Sequence, residues 1–198
     1  MTKPDSDPHC PRTKKLFVRA TAFLGLLAWL LGSDSGFGGE TPATKNQVEA
    51  VFLFNFAKYV DWPPAAFTNA TAPITIGVLG TDPFGDSLQH VAEGKTINDR
   101  AVIIRHLASE SELPGCQILF VSNSEASRMG GILRKAGTLP ILTVGEGELF
   151  AQNGGIINFV LKNGNVRLEI NLATARQAGL TISSHLLAVA DVVKGKSN

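Results

Sequence analysis

Cysteine is almost missing from this chain: Cys10 and Cys116 are the two among 198 residues, which excludes a disulfide-stapled scaffold. Charge is also sparse, at 18%, with 18 basic against 17 acidic residues. Beyond residue 39 the balance is 13 basic to 14 acidic with no basic block, so there is no electrostatic footprint for nucleic acid. An apolar share of 44% excludes a disordered or collagen-like chain. After residue 39 no apolar run approaches the roughly 18 residues of a membrane span.

What is present begins with an address. Lys14, Lys15 and Arg19 lead into a 13-residue apolar run, 20–32, broken only by Thr21. Small residues follow over 33–39, with Gly36 and Gly38 at the spacing that signal peptidase tolerates. We expect a signal peptide and leader over 1–38 that is cleaved near Gly38, a flexible stretch over 39–45 and one exported domain over 46–193. An uncleaved anchor is the competing alternative. Cys10 precedes the apolar run, so a lipoprotein processing site is not expected. Cleavage leaves Cys116 alone, either buried or paired between chains; its strand-like context, Cys116-Gln-Ile-Leu-Phe-Val, favours burial.

Along the domain, Thr44 and Gln47 have capping-box spacing and open a helix over 46–59, which Trp62-Pro63-Pro64 prevents from continuing. Strands are predicted over 74–80, 102–106, 117–121 and 140–144. Asp82-Pro83 should open a helix to about 91, Ser122 and Glu125 should cap another to about 135, and 148–152 reads as a helical turn. Asn163-Gly164 is a preferred hairpin turn that pairs Phe159 with Leu168 and Ile157 with Ile170 on an apolar face. A short helix capped by Asn171 or Thr174 ends at Gly179, and a last amphipathic helix is expected over 183–193. The fold class is therefore α/β: a mostly parallel central sheet with helices on both faces, and an antiparallel hairpin, 157–170, near the C-terminal end.

Chemistry is hard to find. His90, His106 and His185 lack partners at metal-ligand spacing, and H-E-x-x-H, C-x-x-C and G-x-S-x-G are absent. No pair of titratable residues nominates a hydrolase site, and no cofactor or metal is expected. Gly80-Thr-Asp-Pro-Phe-Gly85 lacks a Walker lysine, and Asp82 would repel phosphate. Because open α/β sheets bind ligands beyond their strand C-termini, Thr81, Asp82, Ser122 and Asn123 mark a possible ligand crevice. Aromatics crowd the first helix. Residues 52, 54 and 56 sweep about 400° at ~100° per residue, so Phe52, Phe54 and Phe56 cannot share one face. Either the helix is buried between two layers or part of it meets another chain; Phe54, Tyr59 and Trp62 are the candidate partner surface.

The segments 46–63 (NQVEAVFLFNFAKYVDWP), 76–84 (IGVLGTDPF), 115–122 (GCQILFVS), 140–144 (PILTV), 154–171 (GGIINFVLKNGNVRLEIN) and 182–190 (ISSHLLAVA) resemble the YfiR family of small exported bacterial proteins. The resemblance implies a non-enzymatic, dimer-forming periplasmic regulator. It would bind the sensory domain of a membrane-bound diguanylate cyclase and repress it, lowering cyclic di-GMP and biofilm formation. A peptidoglycan-binding outer-membrane lipoprotein would be a second partner, able to sequester it. Redox tuning through an internal disulfide is not carried over, because one cysteine cannot form one. The alternative function is an exported small-ligand binding module that feeds a sensor or transporter.

Overall fold

The computed structural model describes residues 43–195; the expected leader over 1–38 and most of the stretch over 39–45 lie outside the described residues. In chain order the first elements are α1 (Lys45–Tyr59), β1 (Val60–Asp61), β2 (Ile74–Leu79), α2 (Asp86–Ala92), β3 (Thr96–Ile97), β4 (Arg100–Leu107) and β5 (Ile118–Val121). There follow α3 (Met129–Ala136), β6 (Leu142–Gly145), β7 (Ile157–Lys162), β8 (Asn165–Ile170), α4 (Leu172–Gln177), β9 (Thr181–Ile182), α5 (Ser184–Leu187) and β10 (Ala190–Val192).

Eight strands form the main sheet in the order β10-β8-β7-β6-β5-β2-β4-β3. Its neighbours run parallel except at the hairpins β7–β8 and β3–β4. Strands β2, β5 and β6 are buried along their whole length, as strands covered on both faces must be. One face carries Ile76, Val78, Ile118, Phe120, Val144, Ile157, Phe159 and Ile170, packed with residues from α1, α2, α4 and α5. The other carries Leu79, Leu119 and Val121 under Ile132, Leu133 and Ala136 of α3. The α/β class, the mostly parallel sheet and the hairpin are as the sequence predicts.

Local chemistry explains the elements that match. Thr44 Oγ1 accepts from Gln47 N (3.3 Å) and Gln47 Oε1 accepts from Thr44 N (2.8 Å), completing the capping box of α1. The hairpin register places Phe159 across from Leu168 and Ile157 across from Ile170, with Asn163 (φ 53°) and Gly164 (φ 77°) in the turn. Asn171 caps α4 by accepting from Thr174 N (3.1 Å).

Three expectations are corrected. The helix after β2 begins at Asp86 rather than at Pro83: Asp82 Oδ1 accepts from Phe84 N (2.7 Å), but Gly85 turns to φ 53°. That turn buries Phe84 edge-on against Phe120, with ring centroids 4.7 Å apart. The helix expected from Ser122 is split into a 3-10 turn, Asn123–Glu125, and α3 from Met129. Glu125 does not close a capping box; it pairs with Arg128 (Nε to Oε2, 2.9 Å). The final helix lasts one turn, α5, because Ala190–Val192 instead pairs with the outer edge of β8 as β10. That edge would otherwise expose unpaired backbone groups. The expected helical turn over 148–152 is a run of hydrogen-bonded turns in which Asn153 N donates to Leu149 O (2.9 Å).

Candidate functional site

The crowded first helix resolves in a specific way. Phe56 (1% exposed) stacks on Phe159 of the hairpin, centroids 5.9 Å apart, with half-buried Phe52 beside both. Phe54 points to the opposite flank, under the ammonium groups of Lys58 and Lys95 at 5.4 and 5.5 Å from its ring. At 3% exposure Phe54 is core, which corrects its place in the candidate surface. Helix α1 thus lies in a trough between the hairpin and α2, and two opposed flanks satisfy aromatics that one face could not.

The residues left in solvent form a ridge. Val51 and Tyr59 are 46% and 40% exposed, and Lys58 stands beside Tyr59. Asn55 folds back, its Nδ2 donating to Val51 O (2.8 Å). Leu161, two residues past Phe159 on the same face of β7, is 59% exposed at the hairpin tip. Trp62 is half-buried and donates through Nε1 to Gln117 O (3.1 Å). Gln117 is itself a buried junction, accepting from Thr75 N (2.8 Å) and donating to Ala66 O (2.7 Å). Trp62 therefore anchors the segment after α1, while Tyr59 faces out from the ridge.

Of the four candidate crevice residues, the structure links Thr81 and Ser122 through Ser124. The chain leaves β2 toward β4 on one side and returns to β5 on the other, which makes the β2–β5 boundary the topological switch point. Thr81 N donates to Ser124 Oγ (2.9 Å), and Ser124 Oγ bonds Ser122 Oγ (3.3 Å). A side chain at Gly80 would stand 2.5 Å from Ser124 Oγ, so the two strand ends are drawn close. Asp82 Oδ2 meets His106 Nε2 (2.7 Å), Ser122 is buried and Asn123 is exposed.

Sequence reasoning missed a buried acid. Glu49 is 1% exposed, yet its place on the line 49–53–56 with Leu53 and Phe56 was a legible sign of burial. Lys45 Nζ lies 3.2 Å from Glu49 Oε1 and also pairs with Glu146 after β6. Burial raises the Glu49 pKa, with Lys45 opposing the rise. Cys116 is a buried free thiol whose pKa is raised, first by burial. At the sheet edge a cavity of about 240 Å³ is lined by Lys162, Arg167, Leu168 and residues 188–191. There the hydrogen bond from Lys162 lowers the Asp191 pKa and raises that of Lys162. Among the described residues no group of three or more His, Cys, Asp or Glu side chains could hold a metal ion, and no helix is long and apolar enough to cross a membrane.

Comparison with known proteins adds the family. No curated protein matches the chain. Among solved structures, a conserved domain protein from Vibrio cholerae O1 biovar El Tor is similar at a TM-score of 0.52 and 14% identity. The match covers 76% of this chain and 60% of that one, so the chain spans less than two thirds of the larger protein. The ABC domain from Streptococcus pneumonia in complex with L-Trp is similar at a TM-score of 0.47 and 17% identity, over 75% of this chain and 60% of that one. At such identities the likeness to the Vibrio protein concerns the fold alone. A family model described as YfiR/HmsC-like matches residues 46–191, from the second residue of α1 to the middle of β10, and the chain belongs to that family.

Proposed function

We propose that the protein is a non-enzymatic periplasmic regulator that binds the sensory domain of a membrane-bound diguanylate cyclase and represses it, lowering cyclic di-GMP and biofilm formation. The family match over 46–191 carries this reading. The leader-like pattern over 14–39 supports export. The ridge of α1, with Tyr59 and Val51 outermost and Trp62 anchoring its foot, is the proposed partner surface; an exposed tyrosine beside an aliphatic residue is the kind of anchor that interfaces use. The protein acts as a homodimer, and a peptidoglycan-binding outer-membrane lipoprotein competes for it.

Deleting the gene tests this directly. Cyclic di-GMP and surface attachment should rise, and a plasmid copy should restore both. Unchanged levels in the deletion strain would refute the proposal. An exported ligand-binding module using Thr81, Asp82, Ser122 and Asn123 has less support, because Ser124 draws the two strand ends together at the switch point.

A further inference from the structure

The first turn of α1 meets the loop after β6 through three charged side chains that the proposed function does not use. Lys45 Nζ stands 3.2 Å from Glu49 Oε1 and 3.3 Å from Glu49 Oε2, and it also pairs with Glu146. One ammonium therefore serves two carboxylates. Glu49 is only 1% exposed; Oε2 accepts a hydrogen bond from Lys45, while Oε1, shielded from solvent, accepts none. With both acids ionised the cluster holds one surplus negative charge, and at Glu49 the burial keeps water from compensating it.

A proton on Glu49 changes three things together. It removes the surplus charge, it ends the repulsion between Glu49 and Glu146, and it turns a carboxylate oxygen into an O–H donor. The first two changes favour keeping the α1 turn and the loop together. Lys45 is then left to Glu146 as a balanced pair.

We infer that Lys45, Glu49 and Glu146 form a proton-tightened clasp, which holds the loop over 146–156 against α1 more firmly in acid than at neutral pH. The neighbouring charges leave the cluster to itself. Glu49 feels Lys45 from its own helix and Glu146 from the loop. The turn after β2 contacts the same end of α1, with Asn46 Nδ2 donating to Pro83 O (2.7 Å), but its Asp82 is engaged by His106 and Phe84 N. Farther along, Lys58 of α1 and Lys95, between α2 and β3, lie over Phe54. Burial is the main cause of the raised Glu49 pKa, and Glu146 adds to it.

The clasp acts on a loop that is otherwise held by its own packing. Phe150 plugs it into the core at 1% exposure, while Leu149 is 43% exposed. The amides of Phe150, Asn153 and Gly155 are hydrogen-bonded within the loop and so report its opening. A periplasmic protein with this clasp would register the acidity of its surroundings. The inference goes beyond the regulatory reading and does not depend on it.

Hydrogen exchange on the protein as purified from cells, corrected for the intrinsic pH dependence of exchange, is the test. At a pH within the ordinary carboxylate range the wild-type amides of 146–156 should be protected several-fold more than at a pH well above it. Glu49→Gln, neutral and carrying an N–H donor, should show the acid-like protection at both values. Glu146→Gln should lose protection at both. Equal wild-type protection at the two values, or a retained pH dependence in Glu49→Gln, overturns the clasp. If core amides of β2 and β5 show that Glu49→Gln is unfolded, the carboxyl titration of Glu49 by carbon NMR decides. Its midpoint should fall in Glu146→Gln relative to wild type, and an unmoved midpoint refutes the coupling.

Discussion

Phe159 and Leu168 face each other across the β7–β8 ladder, both on the buried side of the sheet, at 3% and 2% exposure. The pair fixes the register, since a slip of one residue would leave one of the two on the solvent side. Leu168→Ala should lower unfolding free energy by about 2–5 kcal/mol, measured by denaturant titration. Leu161→Ala at the exposed tip should cost well under about 1 kcal/mol. Equal losses at the two positions would show that the hairpin does not bury one face.

That hairpin was legible because its determinants are local: an Asn-Gly turn and alternating side chains settle the pairing without knowledge of the rest of the chain. The capping box of α1 and the buried strands β2 and β5 were legible for the same reason. Val192 and Val193 were not, because their helical spacing was real and only the vacant edge of β8 makes them extended. The α1 surface lay between these cases. The rotation of residues 52, 54 and 56 revealed a surplus of aromatics, but only the trough between the hairpin and α2 shows that Phe54 is core and Tyr59 outermost. The C-terminal ends of β2 and β5 were foreseeable from the α/β pattern; the Ser124 bridge between them was not, since it needs the two ends side by side.

Phe150 occupies a slot made by two glycines. A Cβ at Gly155 would stand 2.1 Å from its ring, and one at Gly145 would stand 2.5 Å from the other side. The ring has nowhere to retreat. Gly155→Ala should therefore destabilise by about 1–3 kcal/mol through overpacking. In Phe150→Ala the same substitution should cost far less, because the obstacle has gone. An additive double mutant would show that the clash is not with this ring.

The raised pKa of Glu49 gives global stability a definite sign. The folded protein holds this proton more tightly than the unfolded chain, so the contribution is complete below the unfolded pKa and is lost as pH rises through the folded one. Wild-type stability, taken relative to Glu49→Gln, should fall as pH rises from the ordinary carboxylate range upward. Lys45 is also raised, and its contribution disappears only in strongly alkaline solution. Chemical denaturation at several pH values measures the difference; a difference that grows with pH contradicts the burial argument.

Cys116 is 3% exposed, and burial pushes its thiol pKa up, so little thiolate exists near neutrality. Alkylation of Cys116 by iodoacetamide, followed by peptide mapping, should be slow in the native protein and complete once it is unfolded. Rapid native labelling would place the thiol at the surface and reopen a bridge between chains.

The proposed partner surface separates from the core at α1. Val51 and Tyr59 project into solvent while Leu53 and Phe56, on the same helix, are sealed. Val51→Asp with Tyr59→Ala should leave the melting temperature within a few degrees of wild type, since neither residue fills the core. If this ridge meets the cyclase, the loss of a tyrosine anchor and the gain of an unpaired charge should weaken binding by about 2 kcal/mol or more, roughly thirtyfold. Cells carrying the variant should then show the raised cyclic di-GMP of the deletion strain despite normal protein levels. Full repression by a folded double variant would move the partner surface away from α1, and the apolar hairpin tip at Leu161 would be the next region to substitute.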